Sequence, residues 1–153
     1  MSFLRLKIPP VAVFLVVGAL MRQAAVQLPQ LAIEIPGRIP LAIALAAFGI
    51  VFAWLGGLRF VRVRTTIHPM HPEQASTLVT SGIFGVSRNP MYLGLLLILA
   101  AWGIHLASAL ALFGLPAFAL YLNEFQIKPE EEALARKFGA AYEEYQQRVR
   151  RWF

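Results

Sequence analysis

Two short stretches hold the side chains best suited to chemistry. One is Ser87-Arg88-Asn89-Pro90-Met91-Tyr92-Leu93-Gly94; the other is Glu130-Glu131-Glu132 followed by Phe138-Gly139-x-x-Tyr142-x-x-Tyr145. The first offers a guanidinium, an amide and a phenol, and the second offers carboxylates, in a chain that contains no aspartate. Pro90 has a fixed φ and no N–H, which suits the first turn of a helix, so Asn89 stands at the helix start with Tyr92 and Gly94 following. Gly94 removes a side chain where something can approach the backbone. Taken alone, Ser-Arg-Asn-Pro is a helix start, and the glutamates favour the positive end of a helix opened by Pro129. Taken together they put a cation, an amide, a phenol and carboxylates beside apolar walls, the makings of a small-molecule pocket.

The elements that must position these groups follow from composition. With 153 residues, 58% hydrophobic and 14% charged side chains and a mean hydropathy of +0.63, the chain reads as one integral membrane domain, 1–153. Cysteine is absent, which excludes disulfides, thiolate nucleophiles and cysteine metal sites. The net charge of +6 sits at the ends of apolar runs, which points to anionic lipid and not to nucleic acid. Apolar runs at about 10–28 and 39–58 each approach the ~20 residues needed to cross the hydrocarbon. The uncharged run Met91 to Asn123 would reach about 50 Å as one helix, so it must turn, with Gly103, His105 and Ser108 marking the place. Spans at about 91–105 and 109–123 result, the second kinked by Pro116. The expected fold is thus all-α, with about four transmembrane helices, the last two a short hairpin.

That count places the amino terminus, the middle loop and the carboxyl tail on one side. This side carries Arg5, Lys7, Arg59, Arg62, Arg64, Arg88, Lys128, Arg136, Lys137, Arg148, Arg150 and Arg151, against Arg38 on the other. The positive-inside rule therefore puts both termini in the cytoplasm. A signal peptide is the competing reading of the first apolar run, but Arg22 interrupts it and no small-residue cleavage site follows. Gly49, Ala53 and Gly57 recur every four residues in the second span and predict close helix packing, within the chain or in a homo-oligomer. Leu134, Phe138, Tyr142, Tyr145, Val149 and Trp152 fall on one stripe, predicting a cytoplasmic amphipathic helix over about 130–152 that lies on the interface or closes over the core. His68 and His71 are separated by Pro69, with Pro72 following, so a shared helical face is excluded and no metal site is expected.

The segment Thr80 to Gly94, together with Glu130-Glu131 and Phe138-Gly139-x-x-Tyr142-x-x-Tyr145, resembles the isoprenylcysteine carboxyl methyltransferase and phospholipid methyltransferase superfamily. Leu6-Lys-Ile-Pro-Pro10 and Thr65-Thr66-Ile-His-Pro69 look like stretches of its short bacterial members, so the likeness covers most of the chain. The family pattern more often has histidine where Asn89 stands; asparagine hydrogen-bonds but does not titrate near neutrality.

The resemblance implies S-adenosylmethionine-dependent methyl transfer in a membrane, the inner membrane for a bacterial protein, to a lipophilic or amphiphilic acceptor: a carboxylate, an amine or a thiol. It implies Asn89, Pro90, Tyr92, Gly94, Glu130 and Glu131 as cofactor-binding residues. Arg88, Glu131 and Arg148 are the corresponding catalytic candidates, the arginines orienting an anionic acceptor or the cofactor carboxylate. A sterol-reductase-like protein that binds NADPH and a non-catalytic membrane scaffold of the same fold are the alternatives. For the methyltransferase reading to hold, the two clusters must meet around a shared cavity.

Overall fold

The computed structural model of the chain describes residues 5–63, 73 and 75–153; His68, His71, Arg64 and the stretch from Thr65 to Pro69 lie outside them. Helix α1 (Pro10–Gln27) has proline in its first turn and stops at Leu28, because the residue before Pro29 is pushed out of the helical region. Helix α2 (Arg38–Val63) runs for 26 residues, about 39 Å. Helix α3 (Pro90–Leu106) ends where Ala107 adopts a left-handed φ of 48° and bonds back to Gly103 and Ile104. Phe113 alone separates α4 (Ala109–Leu112) from α5 (Gly114–Leu122), since Pro116 has no N–H to offer the Leu112 carbonyl. A π-helical turn, Asn123–Ile127, then leads into α6 (Lys128–Phe138) and α7 (Ala140–Arg148).

Pro10–Gln27, Arg38–Val63 and the continuous stretch Ala109–Phe138 are long and apolar enough to cross a membrane, and Pro90–Leu106 is a shorter apolar helix. The final hairpin is therefore unequal, because its second arm does not stop near residue 123 but continues through the π turn. Its bend lies at Ala107–Ser108, where Ile33 N–H donates to the Ala107 carbonyl at 2.8 Å and ties the α1–α2 connection to the turn. Gly103, expected in the bend, is buried inside α3, where a Cβ would sit 2.9 Å from Leu112. Many large apolar side chains of α1 and α2 are exposed, among them Leu15, Leu20, Ile43, Phe48 and Trp54, as a lipid-facing surface requires.

Packing is tightest between α2 and α3. A Cβ on Gly94 would lie 2.5 Å from the Gly49 carbonyl and 2.8 Å from the Ala53 Cβ, so the two backbones touch there. Gly49 and Ala53 are thereby used within the chain, whereas Gly57 has open space around it. The main core gathers Met21, Tyr92, Leu99, Phe118, Leu122 and Ile127, with Phe14, Trp102 and Trp152 against it.

The single helix expected over 130–152 is instead two. Gly139 adopts φ 51° and ψ −130°, a conformation that side chains resist, and the chain changes direction there. Tyr142, Tyr145 and Val149 are buried against Leu78, Leu134 and Phe138, so this stripe closes over the bundle. Trp152 leaves the stripe and joins the main core, because the chain becomes extended at Val149.

Candidate functional site

Pro129 lacks an N–H, which frees the carbonyl four residues earlier. That carbonyl, of Phe125, accepts instead from Leu6 N–H at 2.9 Å, so the segment before α1 braces the π turn. Arg5 reinforces the brace by pairing with Glu132 at 2.6 Å on the exposed side. Through this support α6 carries Glu130 and Glu131 to the start of α3.

The two glutamates have different surroundings. The Glu130 carboxylate is partly buried and accepts from the Tyr92 hydroxyl at 2.5 Å and from the Gln126 side-chain amide. Among the described residues no cation pairs with it. Glu131 accepts from Arg88 Nη2 at 2.7 Å and forms a fork with Arg151, whose Nε and Nη2 lie 3.0 and 2.6 Å from its two oxygens. Side-chain exposures of 11% for Arg88 and 13% for Glu131 make theirs a secluded ion pair, and the Arg151 fork has the bidentate geometry that gives strong charge-assisted bonds. These hydrogen bonds are the first cause of a raised Arg151 pKa, so its guanidinium stays charged. Arg88 also donates to the Gln146 carbonyl at 3.1 Å, while its Nε is buried without a partner.

These groups surround one hollow of about 100 Å³, lined by Arg88, Asn89, Pro90, Tyr92, Glu130 and Glu131, with Phe60, Phe84, Tyr142 and Tyr145 among its apolar walls. Phe60 and Phe84 meet edge to face at 5.2 Å. Tyr145 donates to the Phe84 carbonyl at 2.7 Å, fixing α7 to the turn that precedes α3. Burial pushes the Tyr142 phenol up, as does the charge of Glu131; burial likewise raises Tyr145, next to Tyr142. Both rings therefore remain neutral walls. A hollow lined by a carboxylate that has no cation partner among the described residues, by the Arg88 guanidinium and by aromatic faces can hold a molecule carrying both a cationic and an anionic group.

The structure thus brings together Arg88, Asn89, Pro90, Tyr92, Glu130 and Glu131, and leaves two candidates outside. Gly94 faces α2, not the hollow: the approaching backbone is that of Gly49. Arg148 is exposed and faces Glu144 at 3.8 Å, because α7 ends there and only the extended residues after it turn back toward α3. Arg151 is the tail arginine that reaches Glu131. Sequence reasoning also missed Gln126, although its spacing of four from Glu130 is a helical contact.

The family described as phospholipid methyltransferase matches residues 38–141, well over half of the chain. A protein of Haemophilus influenzae (strain ATCC 51907 / DSM 11121 / KW20 / Rd), described as an uncharacterized protein, is 53% identical over 62 residues, covering 40% of this chain and 98% of that protein. No solved structure matches significantly. An apolar helical bundle with a polar hollow at one end has the make-up of a membrane protein. The chain belongs to the phospholipid methyltransferase family, which gives it membrane methyl transfer as its general activity.

Proposed function

We propose that the hollow binds S-adenosylmethionine and that the chain methylates a lipophilic or amphiphilic acceptor. The observation that carries this reading is Glu130: a carboxylate at the hollow, held by two neutral donors and lacking a cation among the described residues. Such a group favours a positively charged ligand, and neutral aromatic faces beside it add to the attraction. When bound, S-adenosylmethionine supplies a methyl group on a positively charged sulfur. Glu130 and Tyr92 hold the cationic part, by this reading, and the unpaired Nε of Arg88 receives an anionic group of cofactor or acceptor. Glu131 serves chiefly to fix the arginines. Where the acceptor is an amine, Glu130 is better placed than Glu131 to take its proton, since Glu131 is already neutralised by two guanidiniums.

Pockets for drug-sized ligands run to about 300–1,000 Å³. The hollow is smaller, so binding of the whole cofactor displaces part of its wall. The site end of the bundle carries Arg5, Arg62, Arg88, Lys128, Arg136, Arg148, Arg150 and Arg151 and the opposite end carries Arg38, in favour of a cytoplasmic site in a four-span arrangement.

Calorimetry of the detergent-purified protein with S-adenosylhomocysteine tests the cofactor, and NADPH in the same cell tests the reductase alternative. Transfer of a labelled methyl group into a total lipid and small-molecule extract, with mass spectrometry of the product, identifies the acceptor. Absence of both binding and transfer refutes the proposal.

A further inference from the structure

The last residues of the chain, Val149 to Phe153, run as a strap across the start of α3. Arg88 N–H donates to the Arg150 carbonyl at 3.0 Å, and the Arg151 carbonyl accepts from Asn89 Nδ2 at 3.0 Å and from Ser87 Oγ at 3.3 Å. Ser87 is fully buried, and its oxygen also accepts from the Asn89 N–H at 3.1 Å. Asn89 makes no side-chain cap of its own to α3, so its amide is free to hold the strap. Trp152 packs into the main core. The strap is therefore fixed at both its backbone and its side chains, and between these points it delivers the Arg151 guanidinium to Glu131.

We propose that Arg151 is a positioning residue of the cofactor site, acting through Glu131 on Arg88. This rests on the reading of the hollow given above. By taking both oxygens of Glu131 in a fork, Arg151 fixes the plane of that carboxylate. The remaining acceptor direction of Oε1 then holds Arg88 Nη2, while the Gln146 carbonyl holds Nη1. With one hydrogen of each terminal nitrogen engaged, the Arg88 guanidinium is held in one orientation and keeps its remaining N–H groups, the unpartnered Nε among them, as further donors beside the hollow that Arg88 lines. The trio carries two positive charges and one negative, a net +1 that suits an anionic group at Nε. Without Arg151, a single guanidinium faces Glu131, the carboxylate can rotate, and Arg88 loses its fixed orientation.

The test uses Arg151→Gln and Arg151→Lys with two readouts. The first needs no ligand: hydrogen exchange of the segment around Arg88, whose amide is bonded to the strap. Arg151→Gln is expected to speed exchange there several-fold while leaving α1 unchanged, and Arg151→Lys, which keeps charge but not the fork, to fall between. The second is affinity for S-adenosylhomocysteine, expected to drop about tenfold in Arg151→Gln, with Glu131→Gln adding little in the double variant because both act through one unit. Unchanged exchange at Arg88 overturns the proposal whether or not the wild-type protein binds the cofactor product. So does wild-type affinity in Arg151→Gln, or additive losses in the double variant. Failure of the wild-type protein to bind, with exchange altered as expected, overturns the cofactor role of the strap together with the reading of the hollow but leaves the strap itself in place.

Discussion

Adjacent, identical side chains with opposite surroundings allow stability and binding to be separated by two isosteric substitutions. Glu131→Gln removes the one negative charge between two guanidiniums, of which Arg88 is 11% and Arg151 31% exposed on the side chain. Breaking a buried pair by removing one partner costs about 3–5 kcal/mol, the residual exposure of Arg151 favouring the lower end. At about 2–4 °C per kcal/mol for a chain of this size, the thermal midpoint should fall by roughly 6–12 °C. Glu130→Gln keeps an oxygen for the Tyr92 hydroxyl and Gln126 amide and leaves no cation among the described residues unpaired, so stability should change by less than about 1 kcal/mol. Its loss should appear in binding: one charge-assisted hydrogen bond is worth about 1.5–3 kcal/mol, or roughly 10- to 150-fold in affinity. Thermal unfolding in detergent and calorimetry with both S-adenosylmethionine and S-adenosylhomocysteine measure the two effects. A greater loss for the first ligand puts Glu130 by the sulfonium; equal losses put it by a group the ligands share. Equal destabilisation by both substitutions, with normal binding in Glu130→Gln, would refute the division of roles.

Gly94→Ala should destabilise by about 1–3 kcal/mol, since its Cβ meets backbone and not a flexible side-chain end, whereas Gly57→Ala, with open space around it, should be neutral or stabilising by up to about 1 kcal/mol; thermal unfolding of the pair checks this. Tyr92→Phe removes the 2.5 Å bond to Glu130 and should weaken cofactor affinity several-fold with the fold intact by circular dichroism. Gly139→Ala places a side chain at φ 51°, ψ −130° and should cost about 1–3 kcal/mol, loosening α7 selectively, as faster hydrogen exchange around Tyr142 and Tyr145 would report.

Much of this fold was legible because membrane helices announce themselves by hydropathy and by proline punctuation: Pro10, Pro29 and Pro90 stand at boundaries the structure keeps. The convergence of Arg88, Asn89 and Tyr92 with Glu130 and Glu131 was legible too, since a hairpin returns its two ends to one surface. What failed were inferences about partners. Gly94 correctly signalled close approach, but a missing side chain does not say whether ligand or helix fills the space, and the answer was Gly49. Arg148 was the tail arginine expected at the site, but it faces Glu144 and Arg151 is the one that pairs with Glu131. An extended residue advances about twice as far per position as a helical one, so the end of α7 at Arg148 decided which arginine reaches Glu131, and no periodicity marks that end.

The π turn explains why two neighbouring glutamates came to do different work. Successive residues of an α-helix point about 100° apart, so Glu130 and Glu131 cannot both face α3 in the same way. Each extra residue taken up by a π turn rotates everything after it by about that angle. In the observed register Glu130 lies one turn beyond Gln126 and reaches Tyr92, and Glu131 faces Arg88 and the strap. A regular helix from α5 into α6 would shift every side chain one slot forward, giving the Tyr92 position to Pro129, the arginine clamp to Glu130 and the outward place, where Glu132 now pairs with Arg5, to Glu131. Three consecutive glutamates therefore conceal a choice made upstream, in Asn123–Ile127. The contact that secures this choice is the Phe125 carbonyl, released by Pro129 and taken up by Leu6 N–H. The site's polarity, one carboxylate free for a cation and one spent on holding arginines, is thus set by backbone geometry before either side chain meets a ligand.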